Sequence, residues 1–140
     1  MIQLRKFALS ALAVLALASC SASETSGATA NTLKNNGYNA KVTSGEDYKQ
    51  TSIGKELKNL DNLVDYLAAS KQTPGTDDTV EGIYIWFFSS IDSASKFLEA
   101  NTQLLFTLEG QIKGFTQGTR NNAAWVGSRT AGTLLGWTTI

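Results

Sequence analysis

Ser93-Ala94-Ser95-Lys96 and Ser52-Ile53-Gly54-Lys55 each set a serine three positions ahead of a lysine. On a helix that spacing brings hydroxyl and amine to one face, where the amine can take the hydroxyl proton. The acyl-transfer chemistry that uses such a pair also needs S-D-N and K-T-G elements, and the chain contains neither. Ser93 reads instead as the first turn of a helix. Asp77, Asp78 and Glu81 group three carboxylates, the hard oxygen donors that calcium prefers. They lack EF-hand spacing, so residues 76–79 read as a solvated turn before a strand. Asp61 and Asp65 would lie one helical turn apart and could pair as acid and base. Beside Lys58 and opposite a leucine stripe, they read as a solvated face.

Absences narrow the chemistry further. The chain has no histidine, which removes Ser-His-Asp and Cys-His catalysis and histidine-based metal sites. Neither the P-loop pattern nor G-x-G-x-x-G occurs. No catalytic residue, metal site or cofactor is expected, and the expected activity is not that of an enzyme.

Cys20 is the only cysteine, and it follows Leu17-Ala18-Ser19. Upstream, Arg5 and Lys6 give a basic start without acidic residues, and residues 7–17 are apolar apart from Ser10. A membrane-spanning helix needs about 20 apolar residues, so this run is too short to anchor the chain by itself. Leu17-Ala18-Ser19-Cys20 resembles the lipobox of bacterial lipoproteins. The resemblance covers residues 1–20 and implies a signal peptide over 1–19, cleavage before Cys20, and a diacylglycerol group on its thiol. A further fatty acyl chain, palmitate for example, is often added to the new amine. It also implies an extracytoplasmic location in the cell envelope, on the outer face of the cell membrane or at an outer membrane. Two or more acyl chains hold firmly where one holds marginally. With its thiol consumed, Cys20 offers no nucleophile, thiolate ligand or disulfide.

Without Arg5 and Lys6, ten basic side chains face twelve acidic ones, leaving a charge near −2. No basic excess remains to hold nucleic acid. Residues 20–32 are small and polar beyond the lipidated cysteine, which predicts a flexible tether. Residues 33–140 then suffice for one domain held by an ordinary core.

Local pattern predicts the elements of that domain. Residues 33–36 end a short helix at Gly37, and 38–44 alternate as a half-buried strand. Residues 45–52 read as a loop with Tyr48 tucked inward. Leu57, Leu60, Leu63, Val64 and Leu67 recur at helical spacing and predict the clearest helix over 55–70. Pro74-Gly75 fits a turn. Val80–Phe88 is β-branched and aromatic, a central strand, and Ile91–Leu108 carries an amphipathic stripe ending before Gly110. Residues 111–117 and 123–127 predict a hairpin around 118–122, and 131–137 a last short helix capped by Thr130. The order β-α-β-α-β-β-α describes an α+β domain of two layers, about four strands backed by two long helices, a ferredoxin-like variant.

Along Val80–Phe88, Ile83, Ile85 and Phe87 point to one face and Tyr84, Trp86 and Phe88 to the other. With both long helices on one side, Tyr84, Trp86 and Phe88 would form an open recognition or homodimer face, unless the C-terminal Leu134, Leu135 and Trp137 fold over it. In the hairpin, Arg120, Asn121, Asn122 and Trp125 combine an aromatic platform with amides, which suits a glycan. Asn-Asn equally suits a tight turn. The expected function is therefore that of a membrane-anchored lipoprotein binding an envelope protein or glycan without catalysis. The alternatives are an inhibitor or immunity-type lipoprotein that blocks a toxin or hydrolase, and a carboxylate-dependent envelope hydrolase.

Overall fold

A computed structural model describes residues 23–72, 80–108 and 115–137. The run resembling a lipobox with Cys20, Pro74-Gly75, Asp77-Asp78 and the first part of the expected strand over 111–117 lie outside these residues.

The polar segment ahead of Leu33 is where the fold begins. Thr25 accepts a hydrogen bond from the Ala28 N–H through its side chain and starts helix α1 (Ser26–Asn35). Thr29, Ala30 and Leu33 bury one side of this helix, so the domain starts within the stretch expected to be a tether. Gly37, with φ +90°, ends it, and the Tyr38 N–H returns to the Leu33 carbonyl at 3.0 Å. Strand β1 (Asn39–Ser44) follows, and then two short helices replace the expected loop. These are α2 (Gly45–Lys49), capped by Ser44, and α3 (Ser52–Glu56), capped by Thr51. Tyr48 is buried from α2, as its position in the loop suggested.

The expected helix over 55–70 is mostly not helical. Only residues up to Glu56 lie in α3, and Leu63–Gln72 form strand β2. The helix ends where Leu57 turns extended at φ −81° and ψ 148°, Asn59 then takes the left-handed region at φ 61°, and Asp61-Asn62 turn the chain into the strand. Leu63 pairs with Phe88 and Asp65 with Phe87, which leaves Val64 as an extra residue in a β-bulge. The bulge shifts the alternation by one. Leu63 therefore packs in one core, Leu67 and Ala69 pack in the other, and Val64 is left 51% exposed.

Strand β3 (Val80–Phe88) and helix α4 (Ile91–Leu108) have the expected bounds. Strands β4 (Phe115–Arg120) and β5 (Ala123–Ser128) form the hairpin, and α5 (Arg129–Leu134) is capped by Ser128 in place of Thr130. The sheet has five strands in the order β1-β2-β3-β5-β4, every neighbouring pair antiparallel. β3 and β4 thus point the same way, with β5 inserted between them. β1 and β2 are antiparallel neighbours, so the first half is no parallel βαβ crossover, and a ferredoxin-like order does not describe it.

Helices cover both faces of the sheet. On one side α1, α5 and the chain after α5 pack on Leu67, Ile83, Ile85, Phe87 and Trp125. On the other, α2 and α4 pack on Leu63, Trp86, Phe88, Ala124 and Val126. The domain is α+β with three layers, not two. β5 is buried throughout and approaches β3 so closely that a Cβ on Gly127 would lie 2.5 Å from the Gly82 carbonyl oxygen.

Candidate functional site

One end of the sheet gathers three chain segments. The Phe88 N–H donates to the Asn122 carbonyl at 2.8 Å, and the Ser89 N–H donates to the Asn62 carbonyl at 3.0 Å. The end of β3 is thereby joined to the β4–β5 turn and to the start of β2. Helix α4 departs from the same point, where the Ser90 hydroxyl accepts from the Ser93 N–H at 3.1 Å.

A polar groove of about 210 Å³ opens there, lined by Asn59, Asp61, Asn62, Asp92, Ser93 and Lys96. The Ser93 hydroxyl accepts from Asn62 Nδ2 and from the Ser90 hydroxyl, each at 2.9 Å. Lys96 pairs with Asp92 at 3.1 Å, an exposed i,i+4 contact worth a few tenths of a kcal/mol. The S-x-x-K spacing therefore joins a serine held by an asparagine to a lysine held by an aspartate. Amides, hydroxyls and carboxylates at such a rim suit hydrogen bonding to a polar ligand.

Beside the groove, the β4–β5 turn grips the start of the domain. Asn121 occupies the left-handed region at φ 52°, as a tight Asn-Asn turn requires. Its Nδ2 donates to Glu24 Oε2 at 3.1 Å, and Arg120 Nε lies 3.8 Å from the same oxygen. Asn122 is buried and bonds Glu24 main-chain groups together with the Phe88 carbonyl. Arg120, Asn121 and Asn122 are thus engaged by Glu24, a residue whose position in a small polar run disguised its role. The signal available was Thr25, a capping residue directly ahead of a ten-residue segment that reaches Leu33.

The aromatic residues of the expected recognition face belong to the core. Trp86 and Phe88 are each 1% exposed, because α4 lies over them and brings Phe97 to ring distances of 5.1 and 5.2 Å. Tyr48 stacks on Tyr66 at 4.1 Å, and Tyr66 lies 5.3 Å from Trp86, closing the layer toward α2. Only Tyr84 is half-buried. It borders a second groove of about 250 Å³ with Lys41, Ala68 and Ser70, at the opposite end of the sheet. Trp125 is buried on the other face, 6.5 Å from Trp137. Trp125 therefore provides no open platform at the hairpin.

The remaining carboxylates are dispersed. Asp65 accepts from the Ser26 hydroxyl at 2.7 Å, while Asp61 stays at the groove, so the two are not one helical turn apart. Glu81 accepts from the Tyr38 hydroxyl at 3.2 Å. Burial, the Glu81 charge and that hydrogen bond push the Tyr38 phenol up to about 12. Among the described residues, no group of three histidines, cysteines or carboxylates is placed to hold a metal. Among the same residues, no helix is long and apolar enough to cross a membrane. In comparison with known proteins, no family model matches the chain, and no curated protein or solved structure does.

Proposed function

We propose that this chain is a membrane-anchored extracytoplasmic lipoprotein, held by lipid on Cys20, whose domain binds an envelope protein or glycan without catalysing a reaction. The observation that carries the anchoring is positional. The lipobox ends four residues before Glu24, and Glu24 is tied into the fold through Asn121, Asn122 and Arg120. A lipid at Cys20 therefore acts on a domain whose first described residues are firmly held. For binding, the groove formed by Asn59, Asp61, Asn62, Asp92, Ser93 and Lys96 supports a polar ligand. The partners already held by Ser93 and Lys96 favour recognition over acyl transfer.

The test is Cys20→Ala expressed in a bacterial host and fractionated. The variant should lose membrane retention and the lipid-dependent mass increase, while its melting transition stays that of the parent domain. Retention in the membrane fraction with unchanged processing would exclude lipid anchoring. For the groove, Asn62→Ala should weaken capture of an envelope protein or glycan relative to the parent. Turnover of envelope material by the parent, abolished in Ser93→Ala, would replace the binding reading with an enzymatic one.

A further inference from the structure

The anchored end of the domain has a specific surface. Asn121 and Asn122 hold Glu24 at the end of the sheet where β3 finishes and β2, β5 and α4 begin. Glu24 lies four residue steps after Cys20. Even fully extended, they span at most about 14 Å. Strand β2, ten residues long, covers about 33 Å from this end to the other. The connection is thus less than half the length of the sheet, and only one end of the domain can stay close to the lipid at all times.

That end also carries two of the exposed large aliphatic side chains. Val64, set outward by the bulge, is 51% exposed, and Ile91, the first residue of α4, is 54% exposed. Both lie two residues beyond the Asn62–Ser89 hydrogen bond that joins β2 to the start of α4. Among the described residues, this end holds Glu24, Asp61, Asp65 and Asp92 beside Arg120 and Lys96, an acidic excess that does not attract anionic headgroups. Short tether, outward aliphatics and an acidic excess among the described residues together fit a zwitterionic bilayer surface.

We propose that the β4–β5 turn, Val64 and Ile91 face the bilayer bearing the anchor, and that the opposite end, with Gly37 and Lys71, projects away from it. The proposal rests on lipid anchoring at Cys20, and it sets the groove of Asn62 and Ser93 beside the bilayer, so that its polar ligand is an envelope component at the membrane surface. Because lipid occupies that thiol, an introduced cysteine is the only one free to label. Lipidated full-length Ser89→Cys and Asn35→Cys, both exposed sites, would carry a fluorophore in phosphatidylcholine vesicles containing headgroup-quencher lipids. Quenching should be several-fold stronger at position 89 than at 35. Equal or reversed quenching on vesicle-bound protein would overturn the orientation, whereas failure to stay on vesicles would count against anchoring itself. In the Ser89→Cys background, Val64→Ser with Ile91→Ser should reduce quenching while vesicle retention persists. Unchanged quenching would remove the two aliphatics from the contact and overturn the proposal in this form.

Discussion

Asn122 brackets the main chain of Glu24: its Oδ1 accepts the Glu24 N–H at 2.6 Å, and its Nδ2 donates to the Glu24 carbonyl at 3.1 Å. The same Nδ2 donates to the Phe88 carbonyl at 2.9 Å. One buried amide therefore joins the start of the domain, the end of a central strand and a hairpin turn. Neither group of Asn122 has a substitute in an apolar side chain.

Asn122→Ala should accordingly destabilise the domain by about 3 kcal/mol, from three lost hydrogen bonds and a buried Phe88 carbonyl left with less solvation. Thermal or urea unfolding reads the loss. Hydrogen exchange should accelerate first at Glu24 and in the first turn of α1. A change confined to the β4–β5 turn would mean that Asn122 does not hold the N-terminal segment.

The bulge at Val64 makes a sharper prediction about the strand. Val64→Thr should change stability by less than about 0.5 kcal/mol, since the side chain is largely exposed. Deleting Val64 should likewise cost about 1 kcal/mol or less, because Leu63 then adjoins Asp65 directly and keeps its place opposite Phe88, in the core it shares with Phe88 and Trp86. A loss of several kcal/mol on deletion, with Val64→Thr near neutral in an unfolding titration, would show that the bulged residue is itself needed to hold the start of β2.

Trp86→Ala should destabilise by about 3–5 kcal/mol, the usual cost of emptying a large aromatic site in a packed core. A folded, stable Trp86→Ala protein that had lost partner capture would instead make Trp86 a contact residue. Chemical denaturation together with a capture assay separates the two results.

Tyr38 gives the domain a pH dependence at the alkaline end. Its phenol is held up to about 12, against an ordinary value near 10. Between those values the unfolded chain releases the proton and the folded chain keeps it, so stability is full below pH 10 and falls as pH rises toward 12. Tyr38→Phe should flatten this part of the stability profile relative to the parent. Ultraviolet titration should show the Tyr38 phenolate forming only near pH 12, with Lys71 over the ring and Glu81 at the hydroxyl. An ordinary titration of Tyr38 near pH 10 in the folded protein would count against the part-buried Tyr38–Glu81 contact.

Several elements were legible locally. Val80–Phe88 is so uniformly β-branched and aromatic, and Ile91–Leu108 so regular in its stripe, that both appear with their expected bounds. Gly37 stops α1, and Asn121-Asn122 turn the hairpin, because a left-handed backbone is a local demand met by local residues. Of the site, Ser93 was visible as the first turn of a helix. Its meeting with Asn62 was not, since a contact between residues 62 and 93 leaves no mark on either segment.

The leucines of the β2 region show where local pattern stops. Leu57, Leu60, Leu63 and Leu67 fit one face of a helix by spacing alone. In the fold Leu57, Leu60 and Leu63 enter one core and Leu67 the other, on opposite faces of a sheet, with the bulge at Val64 reversing the parity. A helix over those residues would have left β1 and β3 without the strand that pairs with both. The same long-range pairing places α4 on the Trp86 face and α1 and α5 on the Ile85 face, which turns an expected open surface into core. Composition, the lipobox resemblance, the helix stop at Gly37 and the two strongest elements could be read from the sequence by itself, because each depends on neighbours along the chain. The identity of β2, the coverage of both faces and the grip of Asn122 on Glu24 were decided only in three dimensions, where backbone hydrogen bonding and apolar burial outweighed local periodicity.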